Sequence, residues 1–466
     1  MSEQIVEEKN RDVEVKTSKP QKEPRKKEPK EDFFKRKGAL RLEYDHASRF
    51  YPIYSTKKYQ SNFVIGVLLH EDVDAEVLER AVNDCAVRYP AFKVKQKRGY
   101  SWHYLVENDA PIKVFPLEKA VPCPINTKET NGYLFKLTCG EKRIEMIIFH
   151  GLCDGNGAVE FLKTILLAYK RLQGVSVVNT EGILDHEDDF DALELEDSFV
   201  SHYEPIKLGE IDLKKLLGGT PHRIKGEIIK SGFETDRLVL ESAEIARRAK
   251  DMGVSFTAYI TGVIAYALDK SEKSQKNNNY VIMVPVNLRN LFESISLRNF
   301  VTFIRVILKP HSFETIEEYA VEASKQIAEE ASKDKMARFI STSVKAQKSF
   351  LMKITPLFLK QFFLKLGRLF TASRQTIIFS NLGRIKVPSE FGVEYFYFNM
   401  NASKSNTQNL GAVTTDSRAV FTLTRAVEEK DFSNQLFNLI EKEEELEEEI
   451  EREEALQNAD KTKTKR

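Results

Sequence analysis

The passage from Ile147 to Gly157 (Ile-Ile-Phe-His-Gly-Leu-Cys-Asp-Gly-Asn-Gly) constrains this chain more than any other. Arg143 to Phe149 is apolar and rich in β-branched residues, the pattern of a buried strand. Gly151, Gly155 and Gly157 permit a sharp turn. From Ala158 the apolar residues Val159, Leu162, Leu166 and Tyr169 fall at helical spacing, to about Arg171. Strand, turn and helix in that order put His150 where a rigid element ends and a loop begins. There an imidazole can be held fixed with one nitrogen left for a substrate. The bland alternatives are a core histidine and, for Asp154, a helix N-cap.

The 466 residues suit two medium domains or one large two-lobed unit. Lys and Arg total 71 against 70 Asp and Glu, so net charge gives no whole-chain argument for nucleic acid or an anionic membrane. Cys85, Cys123, Cys139 and Cys153 show no C-x-x-C spacing, so no metal site is expected and reduced thiols of a cytoplasmic protein are. The start of the chain lacks an apolar signal core, and no run approaches the ~20 apolar residues of a spanning helix. Thr257 to Leu268, the longest candidate, reads as a core helix.

Residues 1–37, rich in Lys, Glu and Pro, are expected to be a disordered charged tail. Residues 38–173 form a first lobe. In it, Phe63–Leu69 is a strand, Asp74 caps a helix, and Phe92–Lys95 with Trp102–Val106 make a hairpin. Leu134–Thr138 pairs with Arg143–Phe149. Residues 174–220 read as an inter-lobe linker. Residues 221–430 form a second lobe, with strands at Ile224–Ile229, Thr235–Leu240, Tyr280–Val286 and Phe300–Leu308. Four more follow at Thr376–Phe379, Glu394–Met400, Gly411–Thr415 and Ala419–Arg425. Ile316–Phe339 reads as one helix. Ser349–Phe370 mixes apolar residues with Lys353, Lys360, Lys365 and Arg368. It reads as a core helix with snorkelling lysines, the alternative being peripheral contact with a membrane. Residues 431–466 read as an acidic helix and a disordered end. The fold class is α/β (α+β), each lobe a mixed sheet with helices.

Three passages carry chemistry. The first is His150-x-x-x-Asp154-Gly155. The second is Val284-Pro285-Val286-Asn287-Leu288-Arg289, leaving a strong strand, with Asn299 ten residues on. Arg289 is a permanently charged fork suited to a carboxylate. The third is Phe379-Ser380-Asn381-Leu382-Gly383-Arg384, which leaves a short apolar strand, the bland alternative being only a turn. Together they resemble the chloramphenicol-acetyltransferase-like superfamily, which includes the condensation domains of peptide synthetases, the plant acyltransferases and the alcohol acetyltransferases. The stand-alone alcohol acetyltransferase-like members are the most similar, over roughly residues 38–430. Two departures narrow the resemblance. Condensation domains carry two adjacent histidines, and Phe149 stands in place of the first. The Asp-Phe-Gly-Trp-Gly signature of the plant group is absent; the single tryptophan is Trp102.

The resemblance implies two lobes with a tunnel between them and His150 midway along it. His150 is then the general base that takes the proton of an alcohol or amine acceptor as it attacks a thioester. Asp154 points away and pairs with Arg289, holding the loop that carries His150. Acetyl-CoA or another acyl-CoA is the expected co-substrate, with no bound cofactor, no nucleic-acid partner and a monomeric chain. A carrier-protein-dependent transferase and a non-catalytic binding protein of the same fold are the alternatives. An oxyanion needs a donor, for which Ser380, Asn381 or a backbone N–H are candidates. Cys153 reads as a thiol facing the core rather than a nucleophile.

Overall fold

The computed structural model describes residues 41–56, 60–118, 123–205, 220–230, 232–271, 278–363 and 374–441. The expected charged tail 1–37, residues Lys365 and Arg368, and the chain beyond 441 lie outside these. The strands are β1 (Leu42–Glu43), β2 (Asn62–Leu69), β3 (Val94–Arg98), β4 (His103–Glu107), β5 (Val114–Pro116), β6 (Phe135–Gly140) and β7 (Arg143–Phe149). The second half adds β8 (Glu234–Glu241), β9 (Tyr280–Asn287), β10 (Val301–Leu308), β11 (Ile377–Arg384), β12 (Val393–Met400), β13 (Gln408–Thr414) and β14 (Arg418–Arg425). The longer helices are α1 (Ala75–Arg88), α2 (Gly155–Leu172), α3 (Ser242–Asp251), α4 (Phe256–Ser271), α5 (Ile316–Glu330) and α6 (Lys333–Gln347), followed by the short α7 (Phe350–Ile354).

β2, β5, β6, β7 and β12 form one sheet, in the order β12-β2-β7-β6-β5. β2 is interior to it and almost wholly buried, which is why its sequence is continuously apolar rather than alternating. α1 starts where Asp74 Oδ1 accepts from the backbone N–H of Glu76 and Val77, at 2.9 and 3.0 Å. α1 and α2 pack together, burying Cys85, Phe161 and Leu162 in the first core. β3 and β4 pair as a hairpin beside β1 in a small sheet of their own. The turn between β6 and β7 places Glu141 at φ 49°.

The other large sheet runs β10-β9-β11-β13-β14-β8, with β11 parallel to both its neighbours and the remaining pairs antiparallel. α4 is buried through most of its length against this sheet and α5, which accounts for the apolar run at Thr257–Leu268. Gly262 is the contact point: a Cβ there would stand 2.6 Å from the backbone nitrogen of Ala320. No single helix among the described residues is long and apolar enough to cross a membrane.

Four sequence expectations are corrected. β12 does not stay with the second sheet but pairs along β2, Phe396 opposite Val67 and Phe398 opposite Ile65. Sheet membership therefore cuts across the 221–430 division, and the chain crosses between the sheets before and after β12. Gly66 makes the pairing possible, since a Cβ there would lie 2.1 Å from the Tyr397 ring. Ile224–Ile229 forms only an isolated bridge, Ile228 to Val427. The helix expected over Ile316–Phe339 is broken at Ala331–Ser332 into α5 and α6. Ser380 and Asn381 continue β11 in register with Gly411 and Ala412, and the turn is confined to an irregularity at Leu382–Gly383, where the register shifts and Gly383 takes φ 76°.

Candidate active site

His150 follows the last residue of β7, and its backbone N–H donates to Ser61 O at 2.8 Å, extending the β2–β7 ladder by one bond. The imidazole is stacked on Tyr51, with ring centroids 4.7 Å apart and planes 18° apart, and meets the edge of Phe63 at 5.1 Å. It lines a cleft of about 1350 Å³. Phe63, Phe398 and Met400 of the first sheet and Val286, Ser380 and Asn381 of the second line the same cleft. Both sheets thus contribute walls around the histidine.

The ring is held by a chain of polar groups. His150 Nδ1 lies 3.0 Å from Asn299 Oδ1. Asn299 donates from its side-chain nitrogen and its backbone N–H to Asp45 Oδ2, at 3.2 and 3.3 Å. The carboxylate decides which way the amide faces, because a flipped amide would set its oxygen against Asp45. Oδ1 therefore points at the imidazole and can only accept. Nδ1 then carries the proton, and the lone pair lies on Nε2. Asp45 is fully buried. Its other oxygen accepts from Ser48 N–H at 2.8 Å, capping the turn that leads straight into Tyr51. One buried carboxylate therefore anchors both the stacking tyrosine and the amide that holds the histidine. The Arg298 guanidinium stands 3.7 Å from it and offsets its charge.

Burial lowers the His150 pKa below its ordinary value, outweighing the opposing pull of a hydrogen bond to the residue's own backbone, of the Asp154 carboxylate and of the Asn299 hydrogen bond. The ring is therefore neutral, and basic, at neutral pH. Asp197, near Asp45, is shifted the other way, to about 6, by burial and by the Asp45 carboxylate.

Asp154 is both of the things its sequence position allowed. Oδ1 accepts from Gly157 N–H at 3.1 Å and caps α2. Oδ2 takes the Arg289 guanidinium at 2.7 Å and the Phe300 N–H at 2.9 Å. Arg289 also donates from Nε to Ser296 O at 2.8 Å and from a terminal nitrogen to Arg298 O. The pair thus ties the start of α2 to the whole loop between β9 and β10, the loop that delivers Asn299. Gly157 is the close-packed glycine at this junction: a Cβ would sit 2.0 Å from Leu297 O, a backbone atom. At Gly155 the obstacle is only the end of the Leu382 side chain, at 2.5 Å.

Ser380 is buried at the cleft wall on β11. Asn381 is engaged locally, donating to Thr257 Oγ1 at 3.3 Å and accepting from Gly383 N–H at 2.8 Å. Cys153 is buried, and burial with the Asp154 carboxylate pushes its thiol well above the usual range. It faces the core. Asp45 and Tyr51 were not singled out in the sequence, and Asn299 was noticed only as a neighbour of Arg289. Their only sequence signal is a polar residue amid the aromatics of Tyr44–Tyr54 and an Asn at a strand start.

Neither the protein-family models nor the curated proteins give a sequence match to the chain. Solved structures do match its fold. The TRI3 trichothecene 15-O-acetyltransferase from Fusarium sporotrichioides superposes with a TM-score of 0.54 at 11% identity, over 85% of this chain and 93% of that one. The first condensation domain of the calcium-dependent antibiotic synthetase also gives 0.54 at 11%, over 86% and 96%. The epimerization domain of the third module of tyrocidine synthetase B gives 0.54 at 12%, over 86% and 96%. An acetyltransferase, a condensation domain and an epimerization domain share this backbone, so the likeness by itself does not choose a reaction. The chain has the two-lobed fold of the condensation domains and the chloramphenicol-acetyltransferase-like enzymes.

Proposed function

We propose that the protein is an acyltransferase that moves an acyl group from a CoA thioester to an alcohol or amine, with His150 as general base. The observation that carries this reading is the fixed tautomer of His150. With Nδ1–H committed to Asn299, Nε2 is the nitrogen left for a substrate in the cleft that His150 lines. A reaction in which two substrates meet directly needs one base poised near neutrality and no protein nucleophile. The cleft is larger than the roughly 300–1,000 Å³ typical of a single small ligand, which suits two substrates side by side.

In the proposed step, Nε2 accepts the acceptor's proton as its oxygen or nitrogen bonds to the thioester carbonyl carbon. The carbonyl π pair moves to oxygen. Collapse of that oxyanion breaks the C–S bond, and the departing thiolate takes the proton back from Nε2. Ser380, at the cleft wall, is the side chain we assign to the oxyanion. Asp154 and Arg289 act by holding the loop. The test is thiol release from acetyl-CoA against a panel of alcohols and amines, with wild type and His150→Ala. Turnover that disappears in the variant supports the reading. Turnover only with a carrier-bound acyl group would replace the donor, and turnover kept by the variant would remove the base.

A further inference from the structure

A surface on the second half of the chain takes no part in this chemistry. α7 and the helical residues 357–363 turn four phenylalanines outward. Phe350, Phe358, Phe362 and Phe363 are 75%, 60%, 63% and 61% exposed. Tyr100, at the tip of the β3–β4 hairpin, adjoins them at 74%. Over the described residues 349–363, the reading of this stretch as a core helix with snorkelling lysines is thereby reversed. The side chains turned inward are Leu357 and Lys360, whose ammonium sits 3.8 Å over the Trp102 ring and donates to Ser101 O at 3.0 Å. Hydrogen bonds from Leu357 N–H to Tyr100 O (2.8 Å) and from Ser101 Oγ to Lys353 O (2.8 Å) lock hairpin and helices together. The aromatics are therefore presented on a braced platform.

The charge around them is one-sided. From Met336 to Phe363 there is no Asp or Glu, against Arg338, Lys345, Lys348 and Lys353 besides the inward-turned Lys360, in a chain whose charges otherwise balance. Lys348 and Lys353 are exposed, as are Lys97 and Arg98 of the hairpin. Exposed rings cost free energy in water and gain it in the interfacial layer of a bilayer. Lysines and arginines around them gain roughly 1 kcal/mol each only where the headgroups are anionic.

We propose that this face docks the protein on an anionic lipid bilayer, with Phe350, Phe358, Phe362 and Phe363 inserted among the headgroups and the flanking cations against lipid phosphates and carboxylates. The proposal is independent of the reaction assigned to the cleft, because its readout is binding alone. The experiment is sedimentation of the full chain with phosphatidylcholine vesicles and with phosphatidylcholine–phosphatidylserine vesicles. Pelleting with the phosphatidylserine vesicles, reversed by salt, is expected. The triple variant Phe358→Ser/Phe362→Ser/Phe363→Ser should lower the partition coefficient about tenfold or more without moving the melting temperature, since these side chains leave no cavity. Lys97→Glu/Lys353→Glu, at two exposed positions, gives a second and independent reduction. Equal pelleting with both vesicles, or unchanged pelleting of both variants, overturns the proposal. So does the absence of pelleting with either vesicle, the result expected if a protein partner or the acidic end of this chain covers the face.

Discussion

The role proposed for His150 rests on a neighbour's neighbour. Asp45 orients Asn299, Asn299 fixes the tautomer of His150, and burial keeps the ring neutral. Because the working form is neutral and its pKa lies below the ordinary 6.5, activity should be full at neutral pH and fall only on the acid side, with a midpoint below 6.5. A pH profile of kcat/KM reads this directly; a midpoint above 6.5 contradicts it. Asn299→Ala removes both the tautomer constraint and a hydrogen bond that favours the charged ring. We expect kcat to fall about tenfold or more, with the acid limb displaced to still lower pH. A mere packing role for Asn299 would lower stability and leave the limb in place.

At the scale of elements, the Asp154–Arg289 pair joins the N-terminus of α2 to the β9–β10 loop. Both side chains are buried, so Arg289→Ala strands a carboxylate out of water and should cost about 3–5 kcal/mol in urea unfolding, with activity lost alongside. Gly157→Ala pushes a methyl into the Leu297 carbonyl and should cost about 1–3 kcal/mol while displacing the same loop, read as a lower melting temperature and a lower kcat. His150, Asp154 and Arg289 were legible in the sequence because each sits at the end of a strongly patterned strand or the start of a helix. Asp45 and Tyr51 were not, because nothing local marks them: their roles arise only when the turn 48–50 meets the β9–β10 loop. For Ser380 and Asn381 a turn was the bland alternative, but both pair with Gly411 and Ala412 of β13 before the register shifts. The transfer of β12 to the first sheet is likewise a matter of tertiary pairing. Its one trace was Gly66, a glycine in mid-strand.

Across the whole molecule, the two sheets are not separate bodies laid side by side. β12 from the second half completes the first sheet, and Phe398 and Met400 on it line the cleft together with Ser380 of the second sheet. The described part of the crossing connection is tied to both halves: Arg88 of α1 pairs with Glu194 at 2.6 and 2.7 Å, and Glu194 O accepts from Leu297 N–H at 2.9 Å. The most direct measurement is single-turnover thiol release by folded His150→Ala protein, with acetyl-CoA and an acceptor that wild type uses. The account predicts a rate lower by about 10²–10⁴-fold with an unchanged melting curve. A variant that folds and releases thiol at the wild-type rate would contradict it.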